Sequence, residues 1–228
     1  MIQIEPTADG SRTLFVPELN EHYHSVKGAL TESEHIFIRT GLRHCTRRDA
    51  RVLEIGFGTG LNAFLTLLEA GKTGRHIHYT TIERYPLDDN IIKELRYPEL
   101  IAPEQAGLFR ELHQTEWNVP QEITPYFTLL KIEGDFTRSV FEGDYDVVYF
   151  DAFAPEKQPE MWSQPLFDYL YTAMNEDGIL TTYCAKGSVR RMLQAAGFTV
   201  ERLPGPPEGK REILRAAKKP DTKKELTK

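Results

Sequence analysis

Four acids stand where apolar runs stop. Glu54 closes "ARVLEI", Glu83 closes "HIHYTTIE", Asp135 follows "FTLLKIEG", and Asp151 closes "YDVVYF". Carboxylates at such ends can accept hydrogen bonds or hold a cation. Between the first run and the helically spaced "LNAFLTLLEAG" lies "GFGTG", with Gly56, Gly58 and Gly60 at alternating positions. Glycine there permits positive φ and lets backbone approach a ligand closely. The spacing is GxGxG, neither the GxGxxG of dinucleotide sites nor a P-loop with GK[ST]. Such turns usually offer a helix N-terminus to phosphate. Glu54 just before the turn would repel pyrophosphate and suits a ligand with a positive charge and no phosphate.

Glu83 falls 23 residues after Gly60. An acid at the end of the second strand accepts hydrogen bonds from ribose hydroxyls, as in dinucleotide folds. The Gly134–Asp135 pair after the third strand would bring a carboxylate beside an adenine amino group. A cationic adenosine derivative without phosphate is S-adenosyl-L-methionine. The residues expected to bind it are Glu54, Gly56, Phe57, Gly58, Gly60, Asn62, Glu83, Asp135 and Phe136. Asp151 is followed by a stiff stretch, "AFAPEKQPEMW", with Pro155, Pro159, Phe153 and Trp162. Trp162 is expected in the core, anchoring the stretch. For Phe153, packing and stacking on a ligand both stay open.

The elements that must position these residues alternate. Short strands "IQIE", "RTLFV" and "EHYHS" come first. A helix follows, with Thr31 as N-cap, Glu34 at the capping-box position and Ile36, Phe37 and Leu42 on its buried side. Strand, glycine loop and a helix C-capped by Gly71 come next. Then follow the strand ending at Glu83, helices over 86–96 and 98–117, the third and fourth strands, a helix near 163–175, the strand "GILTTYC", and the helix "GSVRRMLQAAG". A hairpin of "FTVERL" and "REILRAA" closes the chain. This order predicts an α/β fold of the Rossmann-like kind, a seven-stranded, mostly parallel sheet with an antiparallel edge strand. In open sheets of this type ligands bind beyond the carboxyl ends of the strands. Residues 1–48 form an N-terminal strand and helix extension expected to admit substrate, 49–217 the cofactor-binding domain, and 218–228 a basic, disordered tail.

"LEIGFGTGLN", "FDAFAPEKQPEMW", "TYCAKGSVRRMLQAAGF", "GPPEGKRE" and "NEHYHSVKGALTESEHIF" together resemble class I methyltransferases. More narrowly, they resemble the methyltransferase module of the MnmC family, which also occurs as stand-alone MnmD proteins. The glycine loop is common to many methyltransferases; the segments after Asp151 and around Lys210 are specific. Position 152 is alanine where some members have glycine, and no consequence attaches to that. The fused members carry a flavin-dependent oxidase module after this one. This chain stops at 228, so that activity is expected to be absent.

The resemblance implies methylation of the primary amine of 5-aminomethyl(-2-thio)uridine at the tRNA wobble position, giving the 5-methylaminomethyl product. Its partners would be the tRNA anticodon loop and a separate enzyme supplying the aminomethyl group. It makes Asp151 the catalytic residue, hydrogen-bonding the amine. An amine like that of lysine has a pKa near ~10.4 and is mostly protonated at neutral pH. A carboxylate at its reference pKa is a weak base, so Asp151 is expected chiefly to orient and attract the amine. Water or a neighbour would complete proton removal. Tyr23, Ser25, Phe153, Pro155, Lys186 and Lys210 are implied as substrate contacts. Arg211 is balanced between such a contact and ordinary surface charge. The rival readings are an aminopropyltransferase of the spermidine synthase type, since "YDVVYFD" suits that family too, and a small-molecule or protein amine N-methyltransferase. A non-catalytic nucleotide-binding module is a further rival, which the intact set of strand-end acids disfavours.

Composition sets outer limits. The 228 residues carry a net charge of −6, which counts weakly against a nucleic-acid partner without excluding one. Arg39, Arg43, His44, Arg47, Arg48 and Arg51 form a basic cluster that could meet RNA phosphate. No secretory signal or membrane-spanning run is visible, and Cys45 and Cys184 lack metal or CxxC spacing. A reduced, cytoplasmic protein is expected. The seven histidines have no HExxH-like spacing, so no metal site is expected.

Overall fold

Apolar runs of six to eight residues, each ended by an acid or glycine, become strands buried on both faces, which a parallel sheet requires. A computed structural model describes residues 2–141 and 143–220. Its elements are β1 (Gln3–Pro6), β2 (Arg12–Val16), β3 (Glu21–His22), α1 (Ala29–Ser33) running into a π-helical turn Glu34–Arg39, β4 (Asp49–Ile55), α2 (Leu61–Thr73), β5 (His76–Glu83), α3 (Asp89–Leu95), α4 (Tyr97–Ile101), α5 (Ala106–Gln114), β6 (Gln121–Thr124), β7 (Phe127–Glu133), β8 (Tyr145–Phe150), α6 (Gln164–Ala173), β9 (Met174–Thr182), α7 (Gly187–Ala196), β10 (Thr199–Pro204) and β11 (Glu212–Ala217). β1, β2 and β3 form a small antiparallel sheet. The others form one eight-stranded sheet in the order β10-β11-β9-β8-β4-β5-β7-β6.

The α/β class is as expected. The strand count is eight, because β6, too short and polar to read as a strand, pairs antiparallel with β7. At the far edge β11 runs antiparallel to β9 and β10 antiparallel to β11. The order of the inner strands fixes the site. From β4 the chain steps outward through β5 to β7, then returns to β8 on the other side of β4. That reversal opens a crevice at the carboxyl ends of β4 and β8. The glycine loop follows one of these strands and Asp151 the other. All six residues of β8 are buried.

Several local expectations are corrected. Thr31 is not an N-cap: α1 starts at Ala29, and Thr31 N and Oγ1 both donate to Asp9 Oδ2 at 2.8 Å. The orphan amides are thus met by the N-terminal sheet rather than from within the helix. Gly71 lies inside α2, which ends at Gly74 in the left-handed region (φ 63°). The two long helices over 86–96 and 98–117 break into α3, α4 and α5, because prolines 98 and 103 restart the helix each time. Lys218 is fixed, its Nζ donating to the Tyr171 and Met174 carbonyls at 2.8 and 2.6 Å. The rest of the expected disordered tail, 221–228, lies outside the described residues. Leu14, Ala29, Ile36, Phe37 and Ile38 share one apolar cluster with Val52 of β4 and Phe64 of α2. The N-terminal segment is therefore packed into the main core.

Candidate active site

A cavity of about 720 Å³ opens at the carboxyl end of the sheet. It is lined by the glycine loop, the ends of β5 and β7, the stretch after Asp151, and the N-terminal segment around Tyr23 and Ser25. Its size lies within the ~300–1,000 Å³ typical of ligand pockets. Of the residues expected from sequence, Gly56, Phe57, Gly58, Asn62, Glu83, Asp135, Phe136, Asp151, Tyr23, Ser25, Phe153, Pro155, Lys186 and Lys210 all reach it. Glu54 and Gly60 do not.

Glu54 is completely buried beneath the loop, accepting from Thr81 Oγ1 at 2.7 Å. Burial pushes its pKa up to about 8, and nearby Asp151 adds to the rise. It is thus largely neutral near pH 7, not the charge that the sequence suggested. Gly60 faces away from the cavity: a Cβ there would meet His113 Nε2 at 2.5 Å. Burial and the Lys131 charge hold His113 down at about 3, so it packs as a neutral ring. Gly56 is required at the turn itself. Its φ is 95°, and a Cβ would lie 3.1 Å from the Asp151 carbonyl. Gly56 N and Asp151 N donate to the carbonyls of Ile82 and Ile55 at 3.0 and 3.2 Å. The loop and the catalytic candidate are therefore tied to neighbouring strands.

Glu83 uses both oxygens to set the loop, accepting from Gly58 N at 3.0 Å and Tyr85 N at 2.8 Å. Glu83 itself lines the cavity. Asp135 is more committed than expected. Its Oδ1 accepts from Thr137 N and Oγ1 at 2.9 and 2.7 Å, and Arg84 lies 3.2 Å from Oδ2. The Thr137 hydroxyl, then its amide and Arg84, hold its pKa below the usual value.

Asp151 is held from one side by Asn62, whose Nδ2 donates to Oδ2 at 2.9 Å. Asn62, expected on the cofactor, is thus bound to the catalytic candidate. Asn62 Oδ1 and Glu54 Oε1 are both buried without a partner. Burial first, and then Glu32, raise the Asp151 pKa to about 7 against the opposing effects of Asn62 and Lys210. Glu32 is a residue that sequence reading missed. Its oxygens accept from Ser25 N and Lys210 Nζ, each at 2.8 Å. In the sequence it is one of several acids at a helix start, with nothing to distinguish it. Tyr183 was also missed: its hydroxyl donates to the Ala152 carbonyl at 2.8 Å, and Lys210 Nζ sits 4.3 Å above its ring.

The stretch after Asp151 is stiff for identifiable reasons. Gln158 Oε1 accepts from Phe153 N at 3.2 Å, and Trp162 Nε1 donates to the Phe153 carbonyl at 2.8 Å. Trp162 is buried against Phe150 and Phe167, as expected. Phe153 meets Tyr23 edge-on, with ring centroids 5.1 Å apart. Lys186 pairs with Glu156. Part of the basic cluster at 39–51 lies away from this face. Arg43 pairs with Glu34 and Glu69, Arg47 pairs with Asp146, and Arg51 stands over Tyr145. Arg47, Arg48 and Arg51 lie at the amino end of β4, the opposite end of the sheet from the cavity.

The donor set fits S-adenosyl-L-methionine. The pocket offers carboxylates and apolar rings, and its cations Arg84, Lys186 and Lys210 are each paired with an acid. Residues 123–219 match the family described as S-adenosyl-L-methionine-dependent methyltransferase. The chain is 30% identical over 224 residues to the tRNA 5-methylaminomethyl-2-thiouridine biosynthesis bifunctional protein MnmC of Cupriavidus metallidurans, covering 88% of this chain and 32% of that protein. The MnmC of Pseudomonas syringae pv. tomato is 30% identical over 215 residues, with the same shares. The chain thus spans about a third of the length of these relatives. The MnmC2 structure from Aquifex aeolicus superposes with a TM-score of 0.73 at 26% identity, covering 99% of this chain and 74% of that one. Spermidine synthase from Thermotoga maritima, at TM-score 0.58, 15% identity and coverage of 96% and 74%, shares the fold alone. The cofactor is S-adenosyl-L-methionine, and the chain is an S-adenosyl-L-methionine-dependent methyltransferase with a Rossmann-like fold, similar to the methyltransferases of the MnmC/MnmD family.

Proposed function

We propose that this chain methylates the primary amine of 5-aminomethyl(-2-thio)uridine at the tRNA wobble position. The observation that carries the reading is a largely enclosed carboxylate, Asp151, with a pKa near neutrality, at a cavity shared by the cofactor loop and a stiff aromatic stretch. The relatives' printed role in 5-methylaminomethyl-2-thiouridine biosynthesis names a matching product. Bound S-adenosyl-L-methionine supplies an electrophilic methyl group.

The chain's own residues do the rest. Gly56, Phe57, Gly58, Glu83, Asp135 and Phe136 would hold the cofactor, with Glu83 accepting from ribose. Glu54 and Gly60 act beneath the loop. Asp151 accepts a hydrogen bond from the substrate ammonium and takes its proton. At its reference pKa of 3.8 it would be a poor acceptor; at about 7 the gap to the amine closes by roughly 4 kcal/mol, at 1.36 kcal/mol per pH unit. Proton removal then falls to Asp151 itself, beyond the orienting role suggested by sequence. Asn62 fixes the carboxylate, and alignment of amine and methyl supplies up to roughly 7–11 kcal/mol in favourable cases.

A wobble base sits in a loop and can be splayed out at modest cost. Phe153, with Tyr23 at its edge, is placed to stack on it, while Ser25, Pro155, Lys186 and Lys210 line the approach. Residues 1–48 carry Tyr23, Ser25 and Glu32, which supports a substrate-admitting role for that segment. Free, buried Cys45 and Cys184 agree with a reducing cytoplasm, where tRNA is modified. No helix among the described residues is long and apolar enough to cross a membrane. A separate enzyme would install the aminomethyl group. The test is mass spectrometry of tRNA nucleosides from cells lacking this protein: accumulated aminomethyl-uridines support the reading, and unchanged wobble nucleosides refute it.

A further inference from the structure

At the far end of the sheet from the cavity, two neighbouring strands bring three ligand-capable side chains together. Asp49 opens β4. His76 and His78 lie two apart on β5, and therefore on one face. Asp49 and His76 are register partners across the parallel pair. His78 Nε2 lies 2.9 Å and His76 Nδ1 3.5 Å from the same oxygen, Asp49 Oδ1. The two ring nitrogens are 3.1 Å apart. No sequence spacing rule finds this group, because one member comes from the adjacent strand.

We propose that Asp49, His76 and His78 form a binding site for a divalent transition ion of the zinc type. The circle through the three atoms has a radius of about 1.85 Å. Bonds from zinc to histidine nitrogen and carboxylate oxygen are about 2.0–2.2 Å. One point about 0.9 Å off the plane of the three atoms is therefore within bonding distance of all of them, as in a three-ligand face of a tetrahedral or octahedral centre. Two imidazoles and one carboxylate are a borderline donor set that suits zinc and its neighbours better than magnesium or calcium. The side chains are 73%, 34% and 44% exposed for Asp49, His76 and His78, so water can complete the coordination.

Two neighbouring cations are directed elsewhere. Arg51, register partner of His78, holds its guanidinium 5.8 Å from the Tyr145 ring centre, and Arg47 pairs with Asp146 at 2.8 Å. The rise along β4 places this site about 20 Å from the glycine loop. The ion would link the first residues of β4 and β5 and take no part in methyl transfer.

The experiment is calorimetric titration of untagged, metal-stripped protein with zinc chloride, on wild type and on the His76→Asn, His78→Asn and Asp49→Asn variants. The expected result is one ion per chain, with each variant weakened at least about tenfold, since even outer-shell changes cost 10–100-fold in metal affinity. Asp49→Asn is an exposed, near-isosteric change that keeps the proposal testable should a histidine variant fold poorly. Melting in the presence of zinc should rise for wild type and stay flat for the variants. Equal affinity in wild type and variants, or no saturable binding below about 1 mM, overturns the proposal.

Discussion

Replacing Asp151 by asparagine separates what the carboxylate does for catalysis from what it does to the fold. The amide keeps the shape and an oxygen to accept from Asn62 Nδ2, which lies 2.9 Å from Asp151 Oδ2. It loses the ability to take a proton. General base catalysis typically contributes 10²–10⁴-fold, so methyl transfer should fall by that factor while cofactor affinity changes little. Stability should move the other way. The folded pKa of Asp151 is raised from 3.8 to about 7, first by burial and then by Glu32. Between these values the folded chain keeps a proton that the unfolded chain has lost, so stability falls as pH rises through the window. The whole effect is about 4 kcal/mol, complete above pH 7. The variant carries no such penalty. At about 2–4 °C per kcal/mol for a chain of this size, Asp151→Asn should melt several degrees above wild type at pH 8, and the difference should shrink toward pH 4. Single-turnover methyl transfer and thermal melts of cofactor-free protein at both pH values read the two effects. A variant keeping more than a tenth of the rate, or melting lower than wild type at pH 8, would refute the reasoning.

Three further outcomes follow from the same geometry. The wild-type rate should rise with pH through a midpoint near 7, and Lys210→Ala should move that midpoint to higher pH while Glu32→Gln moves it lower, because Lys210 lowers and Glu32 raises the Asp151 pKa; unchanged or reversed midpoints in pH–rate profiles contradict the assignment. Glu54→Gln mimics the protonated acid and should leave cofactor affinity within about threefold; its melting advantage over wild type should grow from about pH 4.5 to about pH 8, since a folded pKa raised from 4.5 to about 8 withdraws stability across that window. A tenfold loss of affinity by calorimetry would mean that Glu54 acts as a charge. Trp162→Phe removes the donor to the Phe153 carbonyl, a neutral hydrogen bond worth about 1 kcal/mol; KM for tRNA should rise several-fold with cofactor affinity unchanged, and an unaltered KM removes the latch from the account.

Much of this arrangement is legible in the sequence. Long apolar runs with abrupt ends declare strands such as β5 and β8, and acids at those ends mark the binding edge because the crevice lies beyond it. What escapes is whatever depends on depth or on a second strand. Glu54 and Glu83 both end apolar runs, yet one is buried under the loop and the other lines the cavity; only packing against Thr81, Tyr79 and Asn62 separates them. Glu32 reaches Asp151 through the tertiary docking of α1. β6 has four residues with little apolar pattern and exists because β7 offers an edge. The Asp49, His76 and His78 group needs the β4–β5 register.

The most direct measurement is methyl transfer by the purified chain to tRNA carrying 5-aminomethyl-2-thiouridine, with S-adenosyl-L-methionine, read by nucleoside mass spectrometry beside the Asp151→Asn variant. The account predicts one methyl group on the wobble aminomethyl nitrogen with wild type and almost none with the variant. Transfer to another nucleoside, aminopropyl transfer from the decarboxylated cofactor, or equal methylation by the variant would contradict it.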